Sequence, residues 1–286
     1  MPPSKPAASP MPELPEVEAT RRHLEPLIVG KTIASAEVRR PRMVRRHEHP
    51  GDFADRVRGR PIHSLGRRGK FMLATLVGDI TWVTHLGMSG RLSVAVAGDA
   101  EAPHTNVVIR LDDATEVRMV DPRTFGFVAA WTPEELAGVF LGHIGRDALD
   151  DLPTTAEIEA TLAGRSAPIK ALLLDQRVVA GLGNIYVDEI LHRATIAPLR
   201  AGGSLDRLEV AALRRAIGPV LRAGLRHGGT SLGDLAYLLP DGRSGDYLRR
   251  LAAYGREGEP CLRGDGMIER TVIRGRSSFW CRGCQR

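Results

Sequence analysis

The chain has 286 residues, 43% of them apolar, with 40 basic against 34 acidic side chains and a net charge of +6. That length exceeds what one small core organises and suits two domains plus a small module. No apolar run approaches the roughly 18 residues a membrane crossing needs, so a transmembrane helix is excluded, and the basic excess favours a polyanionic partner.

In chain order, residues 1–10 (MPPSKPAASP) come first. They are rich in Pro, Ala and Ser, and too short and polar for a secretory signal, so they read as a disordered leader or a misassigned start. Residues 14–29 predict a helix. Pro15, Glu16 and Glu18 occupy its start, Val17, Thr20, Leu24 and Leu27 share a face, and Gly30 stops it. From 32 to 131 the pattern changes to short alternating segments: TIASAEV, PIHSL, KFMLATLV, ITWVTHL, RLSVAV, NVVIRL, EVRMV and FGFVAAW. Turn residues separate them, as in an antiparallel sandwich or barrel. Residues 133–235 read as helices broken by Gly and Pro. The end of the chain carries Gly-rich turns, the strand-like runs MIERTVI and SSFWC, and three cysteines, all within the last 26 residues. So few and so clustered, they argue against a disulfide framework and for a local metal site in a reducing, cytoplasmic location.

The segment SPMPELPEVEAT (residues 9–20) raises the first chemical question. A chain started at Met11 and trimmed of it would expose Pro12 as a free secondary amine. An α-amino group titrates at about 7.7–8.0, against about 10.4 for lysine, so about a tenth of it is unprotonated at neutral pH. Such an amine can attack a sugar C1′ and form an iminium ion, with Glu13 adjacent to move protons around the ring. The plainer reading is that Met-Pro-Glu-Leu-Pro only starts a helix, and the segment by itself favours that.

Further stretches change the balance. PELPEVE, LGRRGKFML, HLGMSG, DPRTFG, VVAGLGNIYVDEIL, YGREGEPC and CRGCQR follow one another along residues 11–286. Together they resemble the formamidopyrimidine-DNA glycosylase family, bacterial enzymes that excise oxidised purines such as 8-oxoguanine. The resemblance implies an α+β multi-domain fold: an N-terminal helix plus antiparallel β-sandwich forming a catalytic domain (11–132), a helical DNA-binding domain with a helix–two-turn–helix motif (133–250), and a C-terminal β-hairpin zinc finger (251–286). It also implies a mechanism. Pro12 attacks C1′ as a Schiff-base nucleophile, Glu13 supplies the proton to the sugar ring, Lys70 assists β-elimination and Arg276 assists δ-elimination, leaving a one-nucleotide gap. Met88, Arg123 and Phe125 fall in the segments that fill the space of a flipped base. His104, Arg165, Asn184 and Tyr254 fall at DNA-contact positions. The implied partner is double-stranded DNA containing oxidised bases or abasic sites, bound by a monomer.

The residue types suit those roles. Chemistry on a base inside a duplex requires extruding it, and apolar wedges such as Met88 and Phe125 can fill the vacated stack. Ordinary core packing is the competing account. Yet Met88 lies between Gly87 and Ser89-Gly90, and Phe125 follows Asp-Pro-Arg-Thr, settings that suit exposed tips. Arg123 can hydrogen-bond the orphaned base opposite. Lys70 could be a solvated charge opening a strand, but Arg67 and Arg68 beside it predict phosphate binding. GLGNIY lacks the third glycine and the βαβ setting of a dinucleotide loop; as a tight turn opening a helix, it offers backbone N–H groups and Asn184 to a phosphate.

Two departures stand out. With residues 1–11 in place, Pro12 is a tertiary amide without a nucleophilic lone pair, so the N-terminal chemistry requires their removal. In the finger, Cys261, Cys281 and Cys284 match the family, but Gly264 stands where a fourth cysteine is expected, with sixteen residues between it and Cys281. Structural zinc normally takes four ligands, and Asp265 is the nearest replacement in sequence. The expectation is one structural zinc whose fourth ligand is Asp265 or a water, the alternative being a finger that folds without metal around Phe279 and Trp280. Two other functions remain: an endonuclease VIII-like glycosylase for oxidised pyrimidines, and a non-catalytic lesion- or DNA-binding protein if Pro12 stays blocked.

Overall fold

The computed structural model describes residues 11–139, 141–231 and 237–286. The leader, and positions 140 and 232–235 of the expected helical stretch, lie outside the described residues. Helix α1 (Leu14–Ile28) is followed by β1 (Ile33–Val38), the short helix α2 (Asp52–Val57), and the strands β2 (Ile62–Arg68), β3 (Phe71–Leu76), β4 (Ile80–His85), β5 (Arg91–Val96), β6 (Thr105–Leu111), β7 (Thr115–Val120) and β8 (Phe127–Trp131). Next come α3 (Pro133–Val139), α4 (Thr155–Leu162), α5 (Ile169–Leu173), α6 (Asn184–Ala194) and α7 (Arg207–Arg226), then a hairpin of β9 (Ile268–Ile273) and β10 (Arg276–Cys281).

Each of the eight alternating segments of the sequence overlaps one strand, with β2 running on to Arg68, beyond PIHSL. They form two four-stranded antiparallel sheets, ordered β1-β6-β7-β5 and β2-β3-β4-β8. A strand with one face toward the opposite sheet alternates, and β3 does so through buried Met72, Ala74 and Leu76. Strand β8 is buried at every position, because its outer face joins a second apolar cluster with Val83, Leu136 and Ile144.

Helix α1 belongs to both halves of the molecule. Leu14 packs into the core of the helical unit, whereas Val17, Leu24 and Ile28 pack into the sandwich. The expected face is corrected at one position: Leu27 is 36% exposed and Ile28 takes its place in the core. Four residues on from Leu24, at 100° per residue, the core side falls on position 28 rather than 27. The hairpin also joins the helical core, through Ile268, Phe279 and Cys281.

Arg67 does not face a phosphate. Its side chain is 1% exposed and is held by Glu18, Asp147 and Asp150, with bonds of 3.1 Å to Glu18 and of 2.6 and 3.1 Å to Asp147. A guanidinium taken out of water needs several acceptors, and these come from α1 and from the segment before α4. Arg68 donates to the Ile144 and Gly145 carbonyls. Both arginines thus tie the sandwich to the helical unit, which corrects the expectation of a phosphate-binding pair.

Candidate active site

The sandwich, the start of α6 and the tip of the hairpin enclose a cleft of about 600 Å³. Of the residues singled out by the sequence, Glu13, Lys70, Met88, Asn184, Tyr254 and Arg276 line it. Pro12 is buried immediately before Glu13, and Met11, on the Pro12 nitrogen, also lines the cleft.

Glu13 reaches from the start of α1 to the start of α6. Its Oε1 accepts the Ile185 N–H at 2.8 Å and its Oε2 the Tyr186 N–H at 3.3 Å. Unpaired N–H groups at a helix start are natural carboxylate partners. The approach depends on Gly183, where an added Cβ would stand 2.3 Å from the Glu13 Cδ. Burial raises the Glu13 pKa to about 7, with Lys70 opposing the rise and Glu16 adding to it. The carboxyl is therefore poised to exchange a proton at neutral pH.

Glu16 holds this arrangement from below. Its carboxylate accepts the Glu13 N–H at 2.9 Å, and the Thr230 N–H and Tyr186 hydroxyl at 2.7 Å each. Lys70, 4% exposed, has its pKa lowered by burial; Glu13 opposes the effect and Arg276 adds to it. His85 also lines the cleft, with burial pushing its pKa down to about 3. Its Nδ1 accepts the Gly87 N–H at 3.1 Å, so the neutral ring keeps its proton on Nε2.

Arg276 is placed by the attachment of β10 to α6. Lys170 Nζ donates to the Ser277 carbonyl at 2.8 Å and to Asp188 at 2.7 Å, and Asp188 accepts from the Ser278 hydroxyl and the Phe279 N–H. Asn184 donates to the same Ser277 carbonyl at 3.1 Å. Tyr254 packs edge-on against Phe279, 5.0 Å between ring centres.

Phe125 and Arg123 sit on a neighbouring loop rather than in the cleft. Phe125 is 38% exposed, and the Arg123 guanidinium lies 4.8 Å from its ring centre. Buried Asp121 joins this loop to that of Met88 by accepting the Ser89 hydroxyl at 2.6 Å, the Arg123 N–H at 3.2 Å and the Gly126 N–H at 2.8 Å. The loops touch at Gly87 (φ +65°), where a Cβ would stand 2.3 Å from the Gly126 nitrogen. His104 and Arg165 are exposed outside the cleft, His104 bonding through its carbonyl to the Asp121 N–H.

Below the hairpin, His192, Cys261 and Cys284 bring their donor atoms within 4.8 Å of one another, a group able to hold a metal ion. Cys281, in the same turn as Cys284, is not in this group. Nor is Asp265. Its side chain is exposed and its backbone carbonyl turns to the Cys281–Cys284 loop, where a Cβ on Gly283 would stand 1.6 Å from that oxygen. The Asp265 expectation is thereby corrected: the positive-φ glycines at 264 and 266 direct the backbone inward, not the carboxylate.

The sequence did not single out Glu16, His85, Asp121 and His192 for a site. His85 stood within the HLGMSG stretch, Glu16 within PELPEVE and Asp121 at the head of DPRTFG, so the signal was present for those three. His192 acquires its role only from a partner 69 positions away.

Comparison with known proteins agrees with this geometry. Residues 11–128 match the family model described as the formamidopyrimidine-DNA glycosylase N-terminal domain, and residues 144–235 match its H2TH domain. The formamidopyrimidine-DNA glycosylase of Cereibacter sphaeroides is 43% identical, over 96% of this chain and 100% of that protein. The one from Mycolicibacterium smegmatis is 42% identical, over 96% and 97%. Among solved structures, the MutM (Fpg) protein of Thermus thermophilus superposes with a TM-score of 0.85 at 38% identity, covering 96% of this chain and 98% of that one. The Lactococcus lactis Fpg in complex with DNA containing an abasic site gives 0.88 at 30% identity, covering 96% and 100%. The chain belongs to the formamidopyrimidine-DNA glycosylase family.

Proposed function

We propose that Pro12, freed of the residues before it, is the nucleophile of this base-excision repair glycosylase. The enzyme removes oxidised purines from duplex DNA and cleaves the strand at the abasic site. The pyrrolidine nitrogen attacks C1′ of the damaged nucleotide, the base leaves, and the nitrogen and C1′ share an iminium bond. Glu13, with its proton available near neutrality, donates to the sugar ring. Lys70, its pKa lowered by burial, has an enlarged unprotonated fraction and assists β-elimination. Arg276, at the hairpin tip, assists δ-elimination. Met88, Arg123 and Phe125 fill the space of the extruded nucleotide, and His104, Arg165, Asn184 and Tyr254 contact DNA.

One observation carries this reading. The carboxyl next to Pro12 is buried on the start of α6, in the same cleft as Lys70 and Arg276. The finger holds a single structural zinc that positions the hairpin and takes no part in the chemistry. The protein acts as a monomer in the cytoplasm; no helix among the described residues is long and apolar enough to cross a membrane.

The test is borohydride trapping on a duplex carrying 8-oxoguanine opposite cytosine, with intact mass reporting the N-terminus. Protein beginning at Pro12 traps covalently; protein retaining Met11 does not. Equal trapping by both forms would assign the nucleophile to another amine, with Lys70 the first suspect. Trapping on an oxidised pyrimidine but not on 8-oxoguanine would favour the endonuclease VIII-like activity.

A further inference from the structure

We infer that the metal site of this finger is completed by His192 of α6, giving a three-cysteine, one-histidine site made from Cys261, Cys281, Cys284 and His192. The inference rests on the reading that the finger holds zinc.

The geometry points there first. His192 Nε2 lies 3.3 Å from the Cys261 sulfur, and the Cys261 and Cys284 sulfurs are 3.9 Å apart. Two thiolates bound tetrahedrally at about 2.3 Å from one zinc stand about 3.8 Å apart, and a thiolate and an imidazole nitrogen slightly closer. Both separations match edges of that tetrahedron. Cys281, at the end of β10, stands outside that three-atom group but shares one turn with Cys284, closed by the Gln285 N–H on the Cys281 carbonyl at 3.0 Å, and a rotation of its side chain supplies the remaining donor. His192 is 4% exposed, and its ring is turned to sulfur rather than to water.

The chain around the site holds these donors together without help from Asp265. The last residues are fastened to the end of α6: Ala197 N–H donates to the Arg286 carbonyl at 2.9 Å, Arg286 N–H to the Thr195 carbonyl at 3.1 Å, and Gln285 Nε2 to the Ile196 carbonyl at 2.9 Å. Arg263, in the turn after Cys261, donates to the His192 and Arg193 carbonyls. Both cysteine-bearing turns are therefore docked on the last turn of α6, where His192 projects. Position 264 carries no side chain to offer a donor. Histidine from a separate element replaces it, so the metal cross-links the finger to the helical unit instead of closing within the finger. Loss of the ion would consequently loosen the hairpin on α6, and with it the placement of Arg276.

The experiment uses the full chain, produced in zinc-replete medium and purified without chelator. Zinc content and X-ray absorption at the zinc edge are measured for the wild type, His192→Phe and Asp265→Ala. The expected wild-type result is one zinc per chain, with three sulfurs and the outer-shell scattering of a single imidazole. His192→Phe should lose that scattering and bind zinc at least about 100-fold more weakly in competition with a chelating dye, exceeding the loss usual for a second-shell partner. Asp265→Ala should match the wild type in both. Zinc bound by three sulfurs without imidazole would overturn the histidine assignment and leave the zinc reading standing. Retention by His192→Phe with loss in Asp265→Ala would do the same. A wild type free of zinc would overturn both. Should His192→Phe fail to fold, the wild-type spectrum alone decides the ligand.

Discussion

Glu13 is the residue on which chemistry and stability meet. Burial holds its pKa near 7, against an ordinary value of 4.5. Between those two values the unfolded chain has released the proton while the folded protein keeps it. Stability contributed by this group is therefore intact below pH 4.5, falls as pH rises toward 7, and stays lost above it. Glu13→Gln removes the titration. Urea unfolding at pH 5 and pH 8 should show the variant gaining on the wild type by up to about 3 kcal/mol at the higher pH, at the expense of base excision. The wild-type excision rate should follow a bell, rising toward neutrality as Pro12 loses its proton and falling above about pH 8 as the Glu13 donor empties. A rate that rises to a plateau above about pH 8 without falling would remove Glu13 from the proton-donating role. The raised proton affinity comes from burial between the sandwich and the helical unit, against the pull of the α6 N–H groups, so PELPEVE disclosed the carboxyl but not its state.

At the scale of elements, the loops that carry Met88 and Phe125 act as one unit through Asp121. Phe125→Ala should slow excision from duplex DNA, since unstacking a base step costs a few kcal/mol that the ring no longer offsets. Cleavage of a ready-made abasic site should suffer less. Asp121→Ala should reproduce that selectivity although it touches no DNA, and should also destabilise the fold by about 3 kcal/mol, because buried Gly126 and Ser89 donors lose their acceptor. The check is parallel single-turnover kinetics on the two substrates. Wild-type excision by Phe125→Ala would leave the exposed ring without a part in void filling. Glycines beside Met88 and the DPRT run marked these loops as turns, and Asp121 opens that run; its bond to Ser89, 32 positions back, is what no local pattern disclosed.

Across the whole molecule, the net charge of +6 understates how the cations are used. Arg67 and Lys170 are buried in internal ion pairs, whereas Arg123, Arg165 and Arg276 are exposed. Only the second group can displace counterions from DNA. Affinity for duplex should fall steeply with salt, with a log–log slope of about −0.9 per phosphate neutralised, and Arg165→Ala should shallow that slope by about 0.9. Titrations across low to physiological ionic strength measure both. A flat dependence would contradict the DNA-binding role of the exposed set.

The sequence by itself determined the elements and the residue types. Eight period-two segments became eight strands, because alternation along a strand is a local property that pairing with any apolar layer satisfies. Pro12, Glu13, Lys70 and the three cysteines were legible for the same reason: each was marked by its immediate neighbours. Only the tertiary structure decided which charges work and in what state. Arg67 and Lys70 stand three residues apart in one basic run, yet the first is consumed by Asp147, 80 positions on, and the second opens on the cleft. Asp265 lay one residue from the missing cysteine and His192 lay 72 residues before it, yet the histidine meets the sulfurs. Desolvation, pairing and metal geometry depend on what packs across a space, and chain separation carries no information about that.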